Sequence, residues 1–335
     1  MRAAAWITLG LLGLTTAPAA ARVEGPVFPP PPAEPRLVFE ESLRDDDGYR
    51  GPRSLLGRIA DVLTGSGESA AMVRPHGLAC DGPLLLIADP DAGVVHLFDR
   101  DKHTYRRLPR DGRLASPVDA AVDADGRIWV ADSAAGALVV FDREGREQAR
   151  YTDGIERPAG LAWDRASGRL YVADPVAHRV AVLDAQGRLI DAFGARGETD
   201  GAFNFPVDVC LDPQGGVWVL DALNFRVCAL APDGAFLSSF GAQGDAPGAF
   251  ARPRGLACDA DGHLWISDAL QDGVQVFDDE GRLLMAFGTQ GQADGEFWMP
   301  AGVAFDDRAN LYVADAYNRR VQVFRYLGDA EGGRP

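Results

Sequence analysis

The sequence predicts an all-β fold: a six-bladed β-propeller of four-stranded antiparallel blades, closed by an N-terminal strand. Three observations support this prediction: a phrase that occurs six times, four short strands within each repeat, and a small residue at one repeated position. A fixed period of about 40–50 residues is typical of arrays built from one supersecondary unit. The repeats therefore define the architecture before any single element is considered.

The repeated phrase is Pro-x-[Gly/Asp]-x-[Ala/Cys]-x-Asp, and successive prolines lie 42, 41, 48, 47 and 47 residues apart. We expect its fifth position to face the axis, because six converging strands leave room there only for small side chains. The phrases start at Pro75, Pro117, Pro158, Pro206, Pro253 and Pro300, and their fifth positions are Ala79, Ala121, Ala162, Cys210, Ala257 and Ala304.

Four strands are expected in each unit. The phrase supplies the first strand, and a turn such as Asp123–Gly126 follows it. The second strand is apolar and ends on Asp, as in Ile128–Asp132, and the third is rich in valine, as in Leu138–Phe141. A glycine-containing turn leads to the fourth, such as Leu189–Phe193. Short β-branched and aromatic runs bounded by Gly, Asp and Pro indicate strands joined by hairpins.

The last unit ends too soon after Phe324 for a complete fourth strand. The segment Arg36–Glu40 has strand character and precedes the first unit. We expect it to supply the missing strand, which places Val38 near Val323 and removes an exposed sheet edge. The propeller is thus expected to span residues 36–328, with a tail at 329–335.

The phrases resemble the NHL repeat, in which the Pro-x-Gly strand is followed by an Asp-ending strand and then by Asn-x-Arg-Val. Asn318–Val321 and Asn224–Val227 match that last element, and the connector Phe-Gly-x-x-Gly-x-x-x-Gly-x-Phe occurs three times. The resemblance covers roughly residues 72–326 and implies a six-bladed propeller with Asp–Arg contacts inside blades. It implies no single activity, because one fold hosts many functions. The family's Arg is replaced by Val94, Ala137 and Gly273 in units one, two and five.

The N-terminus is typical of an exported protein. Residues 1–21 read as a signal peptide, with Arg2, an apolar stretch and small residues at the cleavage region. The stretch is short for a membrane span, although an uncleaved anchor is the alternative. Residues 22–35 form a proline-rich linker. We therefore expect a periplasmic or secreted protein with no transmembrane span after cleavage.

The formal net charge of −16 disfavours nucleic acid and anionic membranes as partners, because both require basic surfaces. A solvated acidic surface is its plainest meaning. The four cysteines, Cys80, Cys210, Cys228 and Cys258, are expected to be buried free thiols. Leucines and other apolar residues at helical spacing within 54–63 predict a short amphipathic helix that plugs one end of the propeller, with docking to a partner or a membrane surface as the alternative.

One mouth of the central channel is the candidate site, because the second and third phrase positions should line it. The candidates for binding there are His76, Asp119, Asp208 and Arg254. Asp119 and Asp208 replace the family's Gly and are the weak candidates for a Ca²⁺ or Zn²⁺ site. One alternative is that Arg254 neutralises Asp208, and another is that each Asp caps a turn or bonds backbone amides of a neighbouring unit. Only one His lies at the second position, so the three-ligand zinc site of a lyase is not expected.

No catalytic residue, confident metal or cofactor is assigned from the sequence. The Asp that ends every second strand is expected to be scaffold, since a catalytic group is rarely needed six times. The leading interpretation is a monomeric, exported propeller that binds or scaffolds protein partners in the cell envelope, since binding residues concentrate on loops held by a rigid scaffold. The alternative is a metal-assisted lyase or hydrolase with its site at the channel mouth.

Overall fold

The computed structural model describes residues 25–45 and 71–328. Six antiparallel sheets follow one another along the chain and form the blades of a closed ring, as predicted. The predicted signal peptide (1–21), the helix within 54–63 and the tail (329–335) lie outside the described residues. Within the described ranges, no helix is long and apolar enough to cross a membrane.

Blades 1 to 5 have four strands each in chain order, and the three strands of blade 6 are completed by strands from the N-terminal segment. Two 3₁₀ turns, Ser133–Ala135 and Ala222–Asn224, follow the second strands of blades 2 and 4. The strands are β1 (Val27–Phe28) and β2 (Leu37–Leu43); in blade 1, β3 (Leu78–Asp81), β4 (Leu84–Asp89), β5 (Val94–Asp99) and β6 (Thr104–Leu108); in blade 2, β7 (Pro117–Val122), β8 (Ile128–Asp132), β9 (Ala137–Phe141) and β10 (Glu147–Tyr151); in blade 3, β11 (Leu161–Asp164), β12 (Arg169–Asp174), β13 (Arg179–Asp184) and β14 (Leu189–Phe193); in blade 4, β15 (Pro206–Leu211), β16 (Val217–Asp221), β17 (Arg226–Leu230) and β18 (Phe236–Phe240); in blade 5, β19 (Pro253–Cys258), β20 (Leu264–Asp268), β21 (Gly273–Phe277) and β22 (Leu283–Phe287); and in blade 6, β23 (Pro300–Phe305), β24 (Asn310–Asp315) and β25 (Arg320–Tyr326).

The ring closes where the sequence predicts it. Strand β2 pairs antiparallel with β25, with Val38 opposite Arg325 and Glu41 opposite Val323. The closing strand is longer than the expected Arg36–Glu40, because the pairing continues to Leu43 opposite Val321. Residues 27–28, inside the predicted linker, add a further strand, β1, beside β2. The closing blade therefore has five strands rather than four.

The hydrophobic core lies between blades, where the apolar faces of neighbouring sheets meet. Trp129 of blade 2 is fully buried and stacks on Trp163 of blade 3 with ring centroids 6.2 Å apart. The second-strand tryptophan of blade 2 therefore packs between blades 2 and 3. In the predicted connectors, Gly194 has φ of 95°, and a Cβ there would lie 2.6 Å from Phe203 Cε2. Glycine is required because the aromatic ring closes over the turn.

The Asp that ends each second strand is scaffold, as expected: the six are at most 1% exposed. Asp132, for example, accepts the backbone N–H groups of Ala115 and Ser116, which tie the segment before the phrase to the second strand. Where the family's Arg is present, it pairs with this Asp, as Arg320 Nε does with Asp315 Oδ2 at 2.7 Å. In blade 1, which lacks the Arg, His96 Nε2 lies 3.5 Å from Asp89 Oδ2.

The prediction of four free thiols is wrong for two of them. Cys210 and Cys258 form a disulfide, with Cα atoms 6.2 Å apart, whereas Cys80 and Cys228 are free. The bond joins the inner strands of blades 4 and 5. These strands converge near the axis, so cysteines at adjacent phrase positions of neighbouring blades come within bonding reach.

Candidate functional site

A cavity of about 270 Å³ lies on the propeller axis and is lined by the inner strands of all six blades. The four sequence-predicted residues, His76, Asp119, Asp208 and Arg254, all line it. They reach it because the phrase runs along each inner strand and its second and third positions face the axis. Small residues at the fifth position, such as Ala162 and Ala257, line it further in.

Asp119 and Asp208 form hydrogen bonds that join neighbouring blades. Asp119 Oδ2 accepts the backbone N–H of Leu161 in blade 3 at 2.8 Å. Asp208 Oδ2 accepts the backbone N–H of Leu256 in blade 5 at the same distance, and its Oδ1 accepts the N–H of Val209. This is the structural alternative raised for the two residues: each carboxylate bonds a backbone amide of the neighbouring unit.

Hydrogen bonds of this kind join every pair of neighbouring blades around the cavity. Three are backbone bonds, two use Asp119 and Asp208, and one uses the Ser267 hydroxyl. In blade order they are Gly77 N to Val118 O, Leu161 N to Asp119 Oδ2, Gly160 N to Val207 O, Leu256 N to Asp208 Oδ2, Ser267 Oγ to Ala301 O, and Gly302 N to His76 O. The two carboxylates thus complete a ring of bonds that closes the propeller at its axis.

The two carboxyl groups keep their protons to a higher pH than an exposed Asp does, because the pKa of each is raised. Burial raises the pKa of Asp119 well above its usual range, and the nearby Asp208 charge raises it further. Burial also raises the pKa of Asp208, to about 7. Hydrogen bonds from backbone amides oppose the shift in both residues, because they favour the carboxylate. A hard cation would have to compete with these amides for the oxygens, which weakens the case for a metal site.

Arg254 does not neutralise Asp208. Within residues 25–45 and 71–328, its guanidinium forms no ion pair or hydrogen bond. Burial lowers the pKa of Arg254, and the neighbouring Arg252 lowers it further. His76 Nδ1 lies 3.0 Å from Val118 O, and because a carbonyl oxygen only accepts, Nδ1 carries the proton and donates the hydrogen bond. Burial and the Arg254 charge lower the pKa of His76 to about 4, so the ring is neutral at neutral pH.

The cavity mouth is surrounded by arginines in addition to the predicted Arg254. The residue before the phrase proline is Arg74 in blade 1, Arg157 in blade 3 and Arg252 in blade 5, and all three are exposed. Arg74 pairs with Asp91 at 2.8 Å and lies 5.4 Å above the Tyr317 ring. The signal was available in the repeat alignment, one position before the proline of alternate units.

The same face carries exposed apolar residues that the sequence reading also missed. The loops after the second strands lie beside the phrase starts, as shown by the bond from Leu223 N to Asn204 O and the bond from Ala269 N to Arg252 O. The residue two positions after the second-strand Asp is a large apolar residue in four blades. These residues, with the exposed fraction of each, are Val176 (44%), Leu223 (54%), Leu270 (60%) and Tyr317 (44%). We call this surface, together with the cavity mouth, the mouth face.

A second cluster of possible metal ligands lies at the opposite end of blade 5. One ligand atom each of Asp259, Asp261 and His263 lies within 4.8 Å of the others. Both carboxylate oxygens of Asp259 already accept hydrogen bonds. Its Oδ1 accepts from the N–H groups of Asp261 and His263, and its Oδ2 accepts from Trp265 Nε1. Asp123 of blade 2 makes the same contacts with Arg127 in place of the histidine. The cluster is therefore a hydrogen-bonded turn of the repeat.

The fold and cavity define a repeat propeller with an axial site, and comparison with protein families agrees. The family described as SMP-30/Gluconolactonase/LRE-like region matches residues 62–244, more than half of the chain. The chain therefore belongs to the SMP-30/gluconolactonase/LRE-like family. The NHL repeat matches residues 297–324, as the motifs predicted. Comparison with curated proteins gives no match.

Solved structures confirm the fold alone, because the sequence identities are low. A streptogramin B lyase aligns with a TM-score of 0.57 at 13% identity, over 76% of this chain and 94% of the other. The virginiamycin B lyase of Staphylococcus aureus gives 0.56 at 14%, over 76% and 96%. An auxiliary nutrient binding protein of Bacteroides thetaiotaomicron gives 0.61 at 13%, over 77% and 70%. Enzymes and binding proteins thus share this architecture.

Proposed function

We propose that this chain is an exported binding or scaffolding module that docks a protein partner of the cell envelope on its mouth face. The observation that carries the proposal is the set of exposed apolar residues around the channel mouth, Val176, Leu223, Leu270 and Tyr317. Exposed apolar groups arranged together mark interaction surfaces, because a solvated surface gains nothing from them. The N-terminal sequence supports export, and the similarity to an auxiliary nutrient binding protein supports binding.

The metal-assisted lyase or hydrolase is the second candidate, since two carboxylates line the cavity and two of the similar folds are lyases. It is less well supported. Asp119 and Asp208 hold the blades together through backbone amides, and the arginines at the mouth repel a divalent cation. The neutral His76 alone does not supply the three ligands that a catalytic zinc normally has.

Site-specific photo-crosslinking tests the proposal. A benzophenone amino acid is placed at Leu270 on the mouth face and, as the matched control, at Leu237 on the outer strand of blade 4, which is 62% exposed. In cells that produce the full chain, we expect a discrete protein adduct from position 270 and none from 237. The double variant Leu223→Asp, Tyr317→Asp should reduce the yield at least about tenfold, since desolvated apolar and aromatic anchors dominate interface energies.

Equal adduct patterns at the two positions would contradict the proposal. So would a metal that copurifies with the wild-type protein and is lost from Asp119→Ala and Asp208→Ala, because that result supports the metal-assisted enzyme instead.

A further inference from the structure

Arg254 is a cation without a counterion among residues 25–45 and 71–328 of an acidic protein. The chain has 49 acidic residues against 33 basic ones, yet none of the described acidic residues pairs with this half-buried guanidinium. It lines the axial cavity at the second phrase position of blade 5. A charge removed from water is unfavourable unless it is paired, so this position favours an incoming anion.

The surroundings extend the positive charge rather than cancel it. Arg157 and Arg252 stand at equivalent positions of blades 3 and 5 and form no ion pair within the described part of the chain. Arg74 of blade 1 shares its charge with Asp91. The cavity carboxyl groups Asp119 and Asp208 are one phrase position further in and are held by amides of the next blades. The mouth is therefore basic on a chain whose net charge is −16.

His76 adds an acceptor to this basic mouth. Its Nδ1 is used by Val118 O, which leaves Nε2 as the ring atom with a free lone pair. A ligand that fits both groups carries an anionic oxygen for Arg254 and an N–H for His76. A peptide has both beside one another, whereas a sulfate dianion offers acceptors alone.

The apolar residues around the mouth complete the description of the ligand. Leu270 is the most exposed of them at 60%, and it lies on the same blade as Arg254. Leu223 of the neighbouring blade 4 is 54% exposed. A peptide carboxylate held by the guanidinium would thus have apolar neighbours packed on these two leucines.

We propose that the mouth face recognises an acidic segment of its protein partner, in which an Asp, Glu or C-terminal carboxylate flanked by apolar residues binds Arg254. This inference rests on the proposed function and specifies the chemistry of the partner. Arg254 is the ion-pair partner, His76 accepts a peptide N–H, and Leu223 and Leu270 contact the flanking apolar side chains. The carboxylate comes from a protein rather than a lipid, because the chain's overall negative charge opposes binding to an anionic membrane.

Selection from a display library of random nine-residue peptides tests this chemistry on the purified full chain. The wild-type protein should enrich peptides with an acidic residue beside apolar ones. A selected peptide should bind about 10- to 100-fold more tightly than its Asn or Gln counterpart, the range expected for hydrogen bonds to a charged group. Arg254→Gln should bring that ratio to about 1, and Arg254→Lys should retain part of it.

Arg308→Gln is the matched control, because Arg308 pairs with Asp101 at the opposite end of the propeller. It should keep the wild-type ratio. Selection without acidic enrichment, or an equal ratio in wild type and Arg254→Gln, would overturn the inference. It would also be overturned if phosphatidylglycerol vesicles or a second copy of the chain, rather than peptides, showed Arg254-dependent binding. Adducts at position 270 without an acidic preference would leave the proposed function standing and remove only this inference.

Discussion

Two levels of the axial cavity differ in how their charged groups are satisfied. At the third phrase position, Asp119 and Asp208 accept backbone N–H groups from the next blades at 2.8 Å. At the second position, Arg254 forms no ion pair with any described residue. The carboxylates thus have partners in the described part of the chain, and the guanidinium has none there. The position of a charged residue in the cavity therefore does not define its role, whereas its hydrogen-bond and ion-pair partners do.

The largest effect is expected from a steric change at the third phrase position, the carboxylate level of the cavity where Asp119 and Asp208 lie. In Gly160→Ala, the new Cβ would lie 2.6 Å from Asp208 Cα, at the junction of blades 3 and 4. We expect the free energy of unfolding to fall by about 3 kcal/mol or more, because backbone cannot move aside cheaply. Chemical denaturation measures the change.

Gly244→Ala is the control for that variant, since its Cβ would approach only the Ala249 side chain, at 3.1 Å. It should cost less than about 1 kcal/mol. A similar loss of unfolding free energy in the two variants would show that the junction of blades 3 and 4 is not packed more tightly than the connector at Gly244.

A smaller effect is expected from the titration of Asp208. Its folded pKa of about 7 lies above the ordinary value of 3.8, so the unfolded chain releases this proton first. Raising the pH from about 4 to 7 therefore removes stability that the protonated group contributes. Asp208→Asn does not titrate, so the unfolding free energy of the variant relative to wild type should increase across this window.

The expected increase is about 2 kcal/mol and at most about 4, since one pKa unit corresponds to about 1.4 kcal/mol. Denaturation at several pH values measures it. A difference between variant and wild type that stays constant from pH 4 to 7 would contradict a raised pKa for Asp208.

Most of the fold follows from the sequence because the repeats specify it six times. The phrases, the second-strand Asp residues and the closing strand near Val38 were all predictable from register and periodicity. Strand β1 was not, because two residues beside a proline run carry no periodic signal. The Cys210–Cys258 disulfide was missed because it depends on which inner strands become neighbours at the axis. That is a property of the ring rather than of any unit.

The sequence predicts which residues line the candidate site but not which hydrogen bonds and ion pairs they form. The second and third phrase positions placed His76, Asp119, Asp208 and Arg254 around one channel, and the structure confirms that location. Their hydrogen-bond partners depend on side-chain directions, so the sequence left open whether Arg254 neutralises Asp208. The exposed loop residues lie outside the repeated phrase, although Leu223 and Leu270 occupy one repeated loop position.

The central claim is that the carboxylate level is architectural and the guanidinium level binds the ligand. Unfolding free energies and acidic-peptide selectivity, measured side by side for Asp208→Ala and Arg254→Gln, test it most directly. We predict that Asp208→Ala lowers the free energy of unfolding by about 1–3 kcal/mol, because it leaves the buried N–H groups of Leu256 and Val209 without their acceptor. Arg254→Gln should change stability by less than about 0.5 kcal/mol while losing the acidic preference. A loss of stability in Arg254→Gln as large as in Asp208→Ala, with the peptide preference intact, would contradict the account.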